Sequence, residues 1–235
     1  MPTHFTPAAL KFLRSLARHN DRAWFDPRKP VYERELKAPM LALIDELNQS
    51  LASFAPEHVR PPHKAMFRIY RDTRFSHDKR PFKTRIAAWW ARAGLEKTSG
   101  AGFYFHLSPT DLTIAAGCYM PAPEQLLAIR RHLVQHHGAL RRLLANRKLR
   151  AAMGPFEGLR LTRPPHGFSA ESPEVAAAMD LLLCRQWGVS ATLPADQATF
   201  PTLLEDIASR FALAAPMVHF LNTPILANAA KFGGN

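Results

Sequence analysis

Gly102-Phe103-Tyr104-Phe105-His106-Leu107-Ser108, the turn residues Pro109-Thr110-Asp111, and Leu112-Thr113-Ile114-Ala115-Ala116-Gly117-Cys118-Tyr119 form one stretch that alternates in character on both sides of the turn. A period of two sends successive side chains to opposite faces of a strand. Phe103, Phe105 and Leu107 then share a core face with Leu112, Ile114, Ala116 and Cys118. Gly102, Tyr104, His106 and Ser108 share the other face with Thr113, Ala115, Gly117 and Tyr119. This predicts a β-hairpin with one apolar and one polar side. Met66-Phe67-Arg68-Ile69-Tyr70-Arg71 alternates in the same way, Ile86 to Trp90 is a further strand, and Leu181 to Val189 is an edge or additional strand.

Helical patterns flank these strands. Thr6-Pro7 and the apolar positions Leu10, Leu13 and Leu16 predict a capped helix to about His19, and Val31 to Phe54 a second one with an adjustment near Pro39. Pro123 to Gly138, Ala139 to Ala145, Lys148 to Met153, a short helix opened by Ser172-Pro173-Glu174, and Pro201 to Leu221 follow. Helices, strands, then helices is the order of an α+β fold with an antiparallel sheet covered mainly on one face. Residues 1–226 are expected to form a single domain and 227–235 a loose tail.

The chain has 235 residues, 47% hydrophobic and 21% charged, enough for one sizeable core. No apolar run is long enough to span a bilayer, the start lacks a secretory pattern, and the two cysteines suit a reducing compartment. A cytoplasmic location without membrane contact is expected. The net charge of +12 is uneven: residues 60–92 carry +8, residues 125–156 carry +7 with no acid, and the rest sums to −3. Such patches favour an anionic partner.

The densest patch is Arg68-Ile-Tyr-Arg71-Asp72-Thr-Arg74-Phe75-Ser-His-Asp78-Lys79-Arg80-Pro-Phe82-Lys83-Thr-Arg85. Guanidinium forks match pairs of phosphate or carboxylate oxygens, so Arg68, Arg71 and Arg74, supported by Asp72, Asp78 and Lys79, are candidate ligands for a small anion. The run Arg68-x-x-Arg71-Asp72-x-Arg74-Phe75-x-x-Asp78-Lys79 resembles the signature of the domain-of-unknown-function family 2461. Asn20 with Trp24-Phe25, Gly102-Phe103-Tyr104-x-His106-Leu107-Ser108-Pro109, Met120-Pro121-x-Pro123-Glu124 and Arg163-Pro164-Pro165-x-Gly167-Phe168 are similar to that family too. The resemblance spans nearly the whole chain and implies a shared fold without an activity. Phe82 stands where that signature has Tyr.

On the polar side of the sheet, small residues at Gly102, Ala115 and Gly117 suggest the floor of a shallow pocket. Tyr70, Tyr104 and His106 would form its walls and Arg68, Arg71 and Arg74 its rim. If the ligand is turned over, His106 or Asp72 is the general acid/base. His106 also fits a histidine satisfied by a nearby hydroxyl, and Arg71-Asp72 and Asp78-Lys79 also fit turn-stabilising pairs. No metal is expected, because His132 and His136 lack a third ligand nearby, and no cofactor, because no Gly-rich phosphate loop occurs. Two other readings stand beside the pocket. One is nucleic-acid binding without sequence preference through blocks 60–92 and 125–156, using Arg130, Arg131, Arg141, Arg142, Arg147, Lys148 and Arg150. The other is a structural or adaptor domain.

Overall fold

Thr6 accepts a hydrogen bond from the Ala9 N–H at 3.3 Å and, with Pro7 in the first turn, starts α1 (Pro7–Arg18). Asp21 caps the short α2 (Arg22–Phe25) through the Trp24 N–H at 2.8 Å. α3 (Lys29–Tyr32) runs through a π-turn, Glu33–Lys37, into α4 (Ala38–Phe54). The adjustment expected near Pro39 is that π-turn. Proline has no N–H and its ring crowds the carbonyl four residues back, and widening the preceding turn relieves the clash. α5 (Pro62–Ala65) closes this helical layer. The computed structural model describes residues 3–95 and 100–232. Residues 96–99, part of the expected connecting loop, and 233–235, the end of the expected tail, lie outside the described residues.

Five strands follow: β1 (Ile86–Ala91), β2 (Gly102–Leu107), β3 (Asp111–Cys118), β4 (Phe156–Glu157) and β5 (Trp187–Pro194), in the antiparallel sheet order β1-β2-β3-β5-β4. The hairpin predicted from 102–119 is present, with the Ser108 N–H bonded to the Asp111 carbonyl at 2.8 Å across Pro109-Thr110. Interleaved with the strands are α6 (Pro123–Leu144), α7 (Arg147–Met153) and α8 (Pro173–Leu182), and α9 (Leu203–Phe232) closes the chain. The result is a single-domain α+β fold. No helix among the described residues is long and apolar enough to cross a membrane.

Several expected boundaries move. Met66–Arg71 is not a strand but two isolated bridges, Met66 to Ala88 and Tyr70 to Phe82. Four positions separate Met66 from Tyr70 while six separate Phe82 from Ala88, so two extra residues on the second limb break the ladder. Leu181 and Leu182 end α8 instead of opening a strand, and the strand begins at Trp187, between β3 and β4 rather than at an edge. Gly138 lies inside α6, since a glycine lowers helix stability without ending it. α9 continues to Phe232, so residues 227–232 are helical rather than a loose tail.

The chain forms two compact units. The first takes residues up to Trp90, Tyr104–Ile114 and Thr192–Ser209; the second takes Ala91–Phe103, Ala115–Ala191 and the residues from Arg210 on. In the first, Leu13, Leu16, Leu36, Met40, Leu43, Phe25, Phe82 and Phe105 are buried, and Phe25 and Phe82 stack with centroids 4.1 Å apart. In the second, Leu133, Leu140, Leu182, Trp187, Phe211 and Leu221 are buried, and Phe103 packs on Phe211 at 4.9 Å.

Candidate functional site on the polar face of the hairpin

The catalytic and ligand-binding candidates fall in the first unit, where they separate into two groups, while the expected floor residues Gly102, Ala115 and Gly117 belong to the second. In the loop 72–80 the guanidinium groups are tied to carboxylates. Arg74 grips Asp72 with two parallel bonds, Nε to Oδ1 at 3.0 Å and Nη2 to Oδ2 at 2.7 Å. Arg80 does the same to Asp78, with Nε 3.0 Å from Oδ1 and Nη2 2.7 Å from Oδ2, and Arg71 Nη1 donates to the same carboxylate. Lys79 Nζ donates to the Thr73 carbonyl at 3.0 Å. These guanidinium bonds, and Arg74's in particular, hold the Asp72 pKa down to about 2, and those of Arg80 and Arg71 push the Asp78 carboxyl lower still. Asp72 is therefore ionised, exposed and occupied, which suits it poorly to acid/base work. The expected convergence of Arg71 and Arg74 on a common opening is replaced by this self-pairing. Arg68 is exposed, and its charge reaches Asp72.

Tyr70 does not wall the sheet face. It leans on Phe25 (6.3 Å) and Phe82 (5.4 Å). Gly117 is not an open floor either. Its φ is +138°, and a Cβ there would lie 2.1 Å from the Trp187 carbonyl oxygen, so the missing side chain allows close backbone approach rather than leaving room.

The second group sits on the strands. His106 and Tyr104 alternate with buried Phe105 and so share the polar face, their rings 5.5 Å apart. Tyr104 also meets Trp89 of β1 and Phe67, each at 6.5 Å. His106 Nε2 lies 3.3 Å from Asp111 Oδ1. Asp111 also accepts from the Ser108 hydroxyl (2.8 Å) and the Thr110 hydroxyl (2.7 Å), which holds its pKa down and keeps the carboxylate charged. A charged Asp111 fixes the histidine tautomer: the proton sits on Nε2 and the lone pair on Nδ1. Nδ1 is buried and has no protein partner. Burial, and after it the charge of Arg85, pushes the His106 pKa below its usual value against the pull of Asp111, so the ring is neutral at pH 7. The indole N–H of Trp89, a residue 8% exposed, is likewise buried without a partner. Lys83 Nζ lies over the Phe67 ring at 5.1 Å. The face thus combines a hydrogen-bond acceptor, a donor, aromatic walls and two nearby cations.

Of these, Tyr104 and His106 were read from alternation. Asp111 reads in the sequence as a turn residue, Trp89 as one position of a further strand, and Lys83 and Arg85 as part of a charge count. One signal was available: the turn that pairs Ser108 with Asp111 sets Thr113 opposite His106, so Asp111, two positions before Thr113, is a diagonal cross-strand neighbour within reach of the ring.

The basic block 125–156 is smaller in effect than its count. Arg130 is buried and donates to the Leu182 carbonyl (2.9 Å) and the Cys184 carbonyl (3.1 Å), and Arg141 holds Asp180 with two bonds. His132 and His136 stand 4.3 Å apart, with His132 against Phe220. Among the described residues no three His, Cys, Asp or Glu side chains gather as a metal site.

A family model described as "Conserved hypothetical protein (DUF2461)" matches residues 8–220. No match was found among curated proteins.

Proposed function

Because the chain belongs to the DUF2461 family of conserved hypothetical proteins, whose description names no reaction, we propose a function from geometry: it binds a small phosphate- or carboxylate-bearing ligand against the Tyr104–His106 face. His106 exchanges a proton with that ligand. The observation that carries this reading is the buried, unpartnered Nδ1 of a histidine whose other nitrogen is held by Asp111. A buried polar atom left without a partner costs about 1–3 kcal/mol, which a bound group recovers.

Arg85 supplies the charge that attracts the anion. The same charge helps keep His106 neutral. An anion bound beside Arg85 offsets that charge and raises the His106 pKa, so binding draws a proton onto Nδ1 and turns it from acceptor to donor. Trp89 offers an N–H to a ligand oxygen.

Titration calorimetry with inorganic phosphate, pyrophosphate and malate tests this. At least one should bind saturably, with a proton uptake that is largest at a pH between the lowered pKa of free His106 and its ligand-raised value and that declines on either side. Arg85→Gln should weaken binding by about tenfold, the loss of one charge-assisted contact, and His106→Gln should remove the proton uptake. Failure of all three probes to bind, or binding indifferent to Arg85, overturns the reading.

A further inference from the structure

The two limbs that begin at Met66 and end at Ala88 are stapled by the Tyr70–Phe82 bridge and by the Arg71 N–H bonded to the Pro81 carbonyl at 2.8 Å. Beyond that staple, one device closes the loop twice. In Asp72-Thr73-Arg74 and again in Asp78-Lys79-Arg80 the aspartate accepts from the backbone N–H two residues on, at 3.2 and 3.1 Å, and from the same residue's guanidinium. Arg71 reaches across to Asp78 and Lys79 to the Thr73 carbonyl. Exposed ion pairs contribute little to stability, so their main effect here is on shape.

What that shape presents is Phe75. It is 94% exposed, between the two closed turns, with the Arg74 guanidinium 5.7 Å over its ring. Leaving a phenyl ring in water forfeits the stabilisation its burial would bring. A loop fixed at both ends of an unburied ring holds that ring out for something else.

We propose that this tip docks single-stranded nucleic acid, Phe75 stacking on a base while Arg68, Lys79 and Arg80 lie along the phosphates. From Arg68 to Arg85 the segment has seven cations, and its two acids are already held by its own arginines. Its outward charge is therefore positive. The ring stands alone among Thr73, Arg74, Ser76 and His77, so it offers too little apolar area for insertion into a bilayer or for the core of a protein interface. One ring is enough for stacking on a base, whose faces are open only in a single strand. Tyr70, 43% exposed and nearer the stem, supplies a second ring along the same path. Phe75, Tyr70, Arg68, Lys79 and Arg80 do not belong to the Tyr104–His106 face, so variants at Phe75 test this reading separately from the other.

Fluorescence anisotropy with labelled twenty-nucleotide oligo-dT and oligo-U, and an anionic vesicle co-sedimentation run beside it, decides the matter. The full chain should bind the oligonucleotides saturably and lose affinity by about twentyfold between 50 and 200 mM salt, as three phosphate contacts require. Phe75→Ala should weaken binding by about tenfold while circular dichroism and melting temperature stay at the parent values, and Phe75→Trp should restore binding with added quenching of indole emission. Equal binding by Phe75→Ala, no saturable oligonucleotide binding, or Phe75-dependent capture by vesicles in place of oligonucleotides each overturns the proposal.

Discussion

Three asparagines do similar work at distant points of the chain. Asn20 donates to the Phe82 carbonyl and accepts from the Phe82 N–H (3.1 and 3.0 Å), Asn48 does so for Arg60 (2.6 and 3.4 Å), and Asn222 for Ala101 (3.0 and 2.9 Å). Each satisfies a donor and an acceptor of irregular backbone that no helix or strand partners, which is why buried loops at these points cost little. Gly117 shows the same dependence on a distant backbone. Alanine there would be strained at φ +138° and driven against the Trp187 carbonyl. Gly117→Ala should therefore cost about 3 kcal/mol or more in urea unfolding; an unchanged midpoint would contradict the close approach. Neither feature is legible in the sequence, where a lone Asn or Gly matches many loop or strand roles.

At the scale of elements, α8 ends on a side chain from another helix. The Arg130 guanidinium takes the Leu182 and Cys184 carbonyls, at the end where orphan acceptors and the negative pole of the helix dipole favour a cation. Arg130→Met should cost about 2 kcal/mol by leaving those carbonyls unpaired, whereas Arg142→Met, at an exposed position of the same α6, should stay within about 0.5 kcal/mol. Equal effects from the two would refute the capping role. In the sequence Arg130 and Arg131 read alike as part of a basic helix, because helical periodicity alone does not tell how wide the buried stripe is. The hairpin limb at Met66–Arg71 failed as a strand for a related reason. Its alternation was real, with Ile69 buried and Arg68 exposed, but ladder continuity depends on the partner limb, which has two residues too many.

For the whole molecule, the shifted carboxylates and His106 move in one direction, whereas burial raises Tyr32, Cys118 and Cys184. Glu35, Asp72, Asp78, Asp111, Glu174 and Asp180 all sit below their usual range, and His106 sits below its own. In each case the unfolded chain binds protons at a pH where the folded chain does not, so stability increases with pH across that interval. The histidine contribution is present above about 6.5 and lost as pH falls through its lower folded value; the carboxylate contributions are lost below about 4. Urea midpoints measured at pH 7, 5 and 3 should fall in that order, most steeply in the last step, where carboxylate protonation adds to the repulsion of an already basic chain carrying +12. A midpoint at pH 3 equal to that at pH 7 would show that these pairings do not persist in solution.

The sequence by itself determined much of the local order: the longer helices, the hairpin at 102–118, the capped start of α1, and a cation-dense loop, because periodicity, caps and turn residues act over a few neighbours. The tertiary structure alone decided which charge meets which. It paired the loop's arginines with its own aspartates, turned Arg130 inward, and left His106 Nδ1 and the Trp89 N–H without partners on one face. Hydrogen bonds and ion pairs are satisfied at about 3 Å in space, and distance along the chain does not set that separation.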